Sequence, residues 1–385
     1  MMLRTWKWAA PVAVAALALA ACSSEADDTA ADDSGVSAQA DAALAELADQ
    51  VLATGPHGEE PSPAEVADLS DEEVAQVADL GATAAIVMHY GGNDWANAQI
   101  DGLKTRFAEL GIEVVAVTDA NFDPGQQVSD IETVMAKNPD IIVSIPTDPV
   151  ATAAAYQAAA DAGIKLVFMD NVPDGLEAGT DYVSMVSADN YGNGVVSAHL
   201  MAKSLGGAGK IAVIYHEADF FVTQQRYDGF MTTIEEQYPD IEVVTERGIA
   251  GPDFAGDAQK VADALLTQNA DLDGIWAVWD VPAEGVMAAA RSAGRNDLKI
   301  ATQDLGTNVA IALAQDDMVI GLGAQRPYEQ GVTEANLAAG ALLGREAPAF
   351  VALPALPVTH DNVLEAWSTV YNQDPPSDLA NAFTD

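Results

Sequence analysis

From Ala84 onward, short runs of branched aliphatic residues alternate with alanine-rich stretches of helical length, and nothing else restricts the possible folds as strongly. Strands are predicted at 85–88, 113–117, 141–145, 166–169, 182–186, 211–215, 241–245, 274–279, 299–302 and 319–322. Helices fit between them, for example at 96–110, 127–137 and 150–162. Strands that are apolar throughout and separated by helices belong to parallel sheets covered on both faces. Ten of them fall into two groups of five, which predicts an α/β protein of two doubly wound parallel-sheet lobes. Such sheets bind ligands beyond the carboxyl ends of their strands. Two lobes facing each other there form a cleft that closes on a ligand.

A different chemistry precedes this region. Arg4 and Lys7 lead into an almost unbroken apolar run from Trp8 to Ala21, too short to span a bilayer comfortably and proportioned like a signal peptide. It ends Leu19-Ala20-Ala21-Cys22, which looks like a lipobox. Residues 1–21 are therefore expected to be a lipoprotein signal peptide, with Cys22 as the lipidated N-terminus. Cys22 is the single cysteine, so no intramolecular disulfide can form. Acyl chains anchor a protein without a transmembrane helix, which places the chain outside the cytoplasm, on the outer face of the cell membrane. Residues 22–41, rich in Ala, Asp, Ser and Glu, read as an acidic flexible tether. Residues 42–82 read as a short helical extension, broken at Gly55-Pro56-His57-Gly58 and restarted by a capped turn at Ser70. Loose packing on the body and a linker role both stay open for it.

Acidic residues number 59 against 16 basic ones, for a formal charge of -43. That balance argues against nucleic acid and anionic membrane surfaces as partners. It permits a neutral or cationic small molecule, and it also serves simply to keep an exported protein dispersed.

Chemistry-bearing residues gather at the predicted strand ends. The first strand runs into His89-Tyr90-Gly91-Gly92-Asn93-Asp94-Trp95, the third into Pro146-Thr147-Asp148, and the fourth into Asp170-Asn171. Further along come Ser187-Ala188-Asp189-Asn190-Tyr191-Gly192, Arg226-Tyr227-Asp228-Gly229-Phe230, Trp276-Ala277-Val278-Trp279-Asp280, Thr302-Gln303-Asp304 and Gly323-Ala324-Gln325. In this order, over about 275 residues from Ala84 to Val358, the chain resembles the ribose-binding-protein family, the type I periplasmic sugar-binding proteins of ABC transporters. The resemblance implies lobes that exchange strands through a hinge of crossing segments, with 83–188 plus 326–358 forming the N-terminal lobe and 189–325 plus 359–385 the C-terminal lobe. It implies a monomer that hands a sugar or sugar alcohol to an ABC permease. The ligand-contacting positions it points to are Asn93, Trp95, Asp170, Asn171, Arg226, Phe254, Trp279, Asp304 and Gln325.

The chemistry of that set is coherent by itself. Aromatic rings such as Trp95, Phe254 and Trp279 cover the C–H faces of a sugar. Carboxylates such as Asp170 and Asp304 accept hydroxyl hydrogens through charge-assisted bonds. Arg226 donates to ligand oxygens and balances a buried Asp. Trp276 reads better as core. Asp280 and Asp304 are open to a second reading as helix caps.

Departures from the ribose binders narrow the ligand. Ile145 stands where they carry asparagine, Asn171 where they carry arginine, and Trp279 where they carry asparagine. A less polar, more aromatic pocket suits a polyol, a deoxy or methylated sugar or another pyranose better than ribose. The excess of Asp170, Asp280 and Asp304 over Arg226 also admits a small cation. A sensor lipoprotein signalling to a membrane receptor would look the same in sequence.

No cofactor, metal or catalytic motif is expected. Asp119-Ala120-Asn121-Phe122-Asp123 mimics a calcium loop, but Pro124 takes the glycine position. Gly206-Gly207-Ala208-Gly209-Lys210 lacks the hydroxyl residue of a phosphate loop. Neither a nucleophile elbow nor a dinucleotide fingerprint appears, so turnover is not expected.

Overall fold

The structure, a computed structural model, describes residues 28–48 and 50–383. The expected signal peptide and Cys22 lie outside the described residues.

The first lobe's sheet contains β1 (Thr83–Met88), β2 (Glu113–Asp119), β3 (Ile141–Ser144), β4 (Lys165–Met169) and β5 (Ser184–Ala188). The second contains β6 (Gly209–His216), β7 (Ile241–Ile249), β8 (Gly274–Ala277), β9 (Lys299–Gln303) and β10 (Val319–Ala324). Two strands missed in the sequence complete them: β11 (Phe350–Leu353) and β12 (Leu356–Val358). The orders are β11-β5-β4-β3-β1-β2 and β12-β10-β9-β8-β6-β7. Every pairing is parallel except β10 with β12. Both extra strands are short, and Pro357 within β12 removes a donor, which only an edge strand tolerates.

From β1 onward the chain crosses between the two sheets three times: after β5, after β10, and between β11 and β12. Residues 356–358, assigned to the N-terminal lobe from sequence, pair instead with β10 of the other lobe. The last crossing therefore falls between Leu353 and Leu356, ahead of the boundary expected at 358.

The flexible tether expected over 22–41 is overturned for its described part, because Asp28–Leu47 is one helix. Alanine is the strongest helix former, and here its small side chains allow close packing on the second-lobe helix Asn190–Ser204. Ala40 is fully buried, and Leu47 packs with Val195, Val196 and Leu200. Asp41 pairs with Lys203. The chain then passes the hinge, where the Leu52 and Ala53 N–H groups donate to Asp189 at 2.7 and 2.9 Å. Ser62 bridges to Val351 on the first sheet. Ser70 and Glu73 cap the helix Asp71–Leu80 reciprocally, as its sequence predicts. Among the described residues, no helix is long and apolar enough to cross a membrane.

Candidate ligand-binding site

The carboxyl ends of both sheets face one shared cleft, lined by residues from the two lobes. Seven of the nine residues expected to bind ligand line it: Asn93, Trp95, Asp170, Arg226, Trp279, Asp304 and Gln325. They come from both lobes and from the segments that join them.

One wall is a continuous polar chain. Ser187 donates to Asp170 at 2.6 Å, and Asn190 donates to Ser187 at 3.0 Å. The Arg226 Nε donates to Asn190 at 2.8 Å while its Nη1 pairs with Asp304 at 2.9 Å. Gln325 closes the chain by donating to the other Asp304 oxygen at 2.9 Å. Arg226 and Asp304 are both buried, so each charge depends on the other for compensation. Burial pushes Asp170 up to about 6, against the opposing pull of Ser187 and Arg226. Asp280 is raised well above its ordinary value by burial and by Asp304 nearby.

Local backbone rules set these side chains in place. Asp170 and Asp304 each leave a strand with positive φ, 53° and 63°, a conformation that Asp tolerates better than most residues. Asn93 caps the helix Asp94–Glu109 by accepting the Ala96 N–H at 2.7 Å. Arg226 sits on the helix Phe221–Gln237, which lies against Asn190–Ser204 with Gly194 and Gly229 facing each other's backbone. A Cβ on Gly229 would collide with the Tyr191 carbonyl, and one on Gly194 with the Arg226 carbonyl. The Gly of Tyr227-Asp228-Gly229-Phe230 thus fixes the distance between the guanidinium and Asn190.

Rings form the opposite wall. His89 stacks on Phe220 at 5.5 Å and meets Phe122 edge-on at 4.7 Å. Phe122 contacts His216, and His216 contacts Trp279 at 5.4 Å. Burial holds both histidines in the neutral form, His89 down to about 3 and His216 to about 4. They behave as polar-edged aromatics.

Two expected contacts lie outside the lining. Asn171 turns its amide to the Pro146 carbonyl at 3.1 Å, behind Asp170. Phe254 supports Trp279 from behind, at 4.9 Å between ring centroids. Missed altogether as lining residues were Tyr90, Phe122, His216, Phe220 and Thr223. Tyr90, Phe122 and Phe220 sit in loops after strands, His216 ends β6, and Thr223 lies in the first turn of the helix Phe221–Gln237. Trp276, read as core, is fully buried and donates to Ser197. The calcium-like loop is a helix cap: Asp123 accepts from Gly125 and Gln126 N–H groups.

Three buried polar atoms of the lining have no protein partner among the described residues: the Trp95 indole N–H, the Gln325 amide oxygen and His89 Nδ1. Buried polar groups are normally paired, so a site that holds a donor and an acceptor in reserve is built for a ligand carrying both.

Comparison with known proteins agrees with this architecture. The periplasmic binding protein domain matches residues 84–346. The ribose import binding protein RbsB of Bacillus subtilis is 27% identical over 256 residues, covering 66% of this chain and 79% of that protein. An ABC sugar transporter subunit from Rhodobacter sphaeroides superposes with a TM-score of 0.66 at 28% identity, covering 73% of this chain and 99% of its own. An arabinose binding protein, AraP, from Geobacillus stearothermophilus gives a TM-score of 0.64 at 25% identity, covering 73% and 98%. With two strand-exchanging lobes, a cleft at the strand ends and a domain match over most of its length, the chain belongs to the periplasmic binding protein family.

Proposed function

We propose that the chain is an extracytoplasmic receptor that closes on a hydroxyl-rich small molecule, a sugar or sugar alcohol, and delivers it to an ABC permease. The observation that carries this is the two-walled cleft, with a hydrogen-bonded row from Asp170 to Gln325 facing a wall of rings. Hydroxyl groups both donate and accept, which matches carboxylates and an amide oxygen beside an indole N–H and a guanidinium. The relatives, a ribose importer's binding protein among them, support the same ligand class. No group on either wall is arranged as a nucleophile with its base, so reversible binding without turnover is the activity proposed. A lipid on Cys22 would hold the monomer to the membrane, next to the permease it serves. Replacing that cysteine with alanine should then shift the protein from the membrane to the soluble fraction.

A thermal-shift screen of sugars and polyols tests the ligand class. A ligand at a hundredfold excess over Kd stabilises the folded state by about 2.7 kcal/mol. Stabilisation by one or a few related polyols is expected, and no shift from any of them would refute the reading.

A further inference from the structure

We propose that the solute carries a positive charge as well as hydroxyl groups: an amino-substituted polyol or sugar whose ammonium rests against Asp170. This deepens the receptor reading and depends on it. Charge in the cleft is out of balance. Three carboxyl side chains line the cavity, Asp170, Asp280 and Asp304, against one guanidinium, Arg226. Arg226 is committed to Asp304 at 2.9 Å. Asp170 is 2% exposed and receives a single side-chain donor, the neutral Ser187. Its chain neighbour Asn171 carries no charge and donates to Pro146 instead. Asp280 is 4% exposed and accepts from its own helix, at the Val281 N–H. Among the described residues, no lysine and no second arginine lines the cavity, and His89 and His216 are held neutral by burial.

A buried carboxylate whose nearby guanidinium is paired with another carboxylate is costly, and an ammonium supplied by the ligand removes that cost where it arises. The rings add to the attraction, since Trp95 and Trp279 line the same space and a cation is drawn to an indole face. A bare alkylammonium does not complete the site, however. The Trp95 indole N–H needs an acceptor, which only an oxygen on the ligand provides, while the Gln325 oxygen needs a donor. The solute must therefore offer acceptor oxygens as well as its charge.

Isothermal titration with matched pairs tests this on the intact protein: sorbitol against 1-amino-1-deoxysorbitol, galactose against galactosamine, and myo-inositol against a monoamino derivative. In at least one pair the amine should bind about tenfold tighter or more near neutral pH. An alkylammonium without hydroxyls should bind far more weakly. Asp170→Asn should erase the amine's advantage. As a readout that needs no variant, the wild-type advantage should shrink as acid protonates Asp170. The other ionisable groups around it, Arg226, Asp304 and Glu334, enter both members of a pair equally. Neutral members binding as tightly as their amines would overturn the proposal and leave the sugar receptor standing. Failure of every member to bind would sink both.

Discussion

Asp170, Asp304 and Phe122 adopt left-handed backbone conformations, and all three line the cleft. Such geometry is held at functional sites by the surrounding fold, at some cost in stability. The Arg226–Asp304 pair adds a second demand, because each charge is buried and relies on the other. Arg226→Met should therefore lower stability by about 3–5 kcal/mol, as breaking one side of a buried pair does, and abolish ligand binding. Urea denaturation and titration of the same variant measure the two losses. A small stability loss would mean that water reaches Asp304 and that the pair is not sealed. His89 yields a pH prediction of definite sign. Burial lowers its folded value to about 3, from an ordinary value near 6.5. The unfolded chain therefore binds the proton more readily between those limits. The neutral ring's contribution is fully present above about pH 6.5 and is lost as pH falls toward 3. Measured against His89→Phe, the wild type should lose up to about 1.4 kcal/mol of relative stability per pH unit below 6.5. A pH-independent difference between the two would show that His89 is hydrated. At this scale the carboxylates, Arg226 and the tryptophans are legible in the sequence, because strand-end position and residue type coincide there. Phe122 and Phe220 stayed hidden: their role comes from contacts with His89 and Phe254 across the cleft, which no local pattern encodes.

Elements carry a different kind of information. All ten predicted strands form, since an apolar run between helices is a strong local signal. The two missed strands are four and three residues long and depend on partners more than 30 residues away in β5 and β10. The part of helix Asp28–Leu47 ahead of residue 42 reads as a tether because Ala, Asp, Ser and Glu dominate it with hardly any large apolar residue, whereas alanine propensity and the apolar face of Asn190–Ser204 decide otherwise. The close approach of the helices Asn190–Ser204 and Phe221–Gln237 is likewise a tertiary fact foretold only by glycine positions. Gly229→Ala should cost about 1–3 kcal/mol through overpacking against the Tyr191 carbonyl. Because the same helix positions Arg226, affinity should fall with stability. Thermal unfolding with and without ligand measures both, and an unchanged affinity beside a lowered melting temperature would separate helix spacing from the binding site.

For the whole molecule, the question is what holds two lobes together over a cleft. The polar chain from Asp170 to Gln325 runs through two crossing segments, so it reports on the hinge as much as on the lobes. At the lip there is a direct fastening. Asp94, at the start of a first-lobe helix, accepts both the backbone N–H and the hydroxyl of Thr307, at the start of a second-lobe helix, each at 2.7 Å. The carboxylate thus serves two helix N-termini, where negative charge is favoured. Opening the cleft breaks both bonds, so they stabilise the closed arrangement without touching a ligand. Hydrogen bonds to a charged group are worth about 1.5–3 kcal/mol net. Asp94→Ala should shift the lobes toward opening and weaken affinity by roughly tenfold to a hundredfold, chiefly through faster release. Small-angle scattering of the unliganded variant should show a larger radius of gyration than wild type, and stopped-flow release should be faster. If affinity falls while release and overall dimensions stay as in wild type, Asp94 acts on the pocket through Trp95 beside it, and closure rests on the aromatic contacts across the cleft instead.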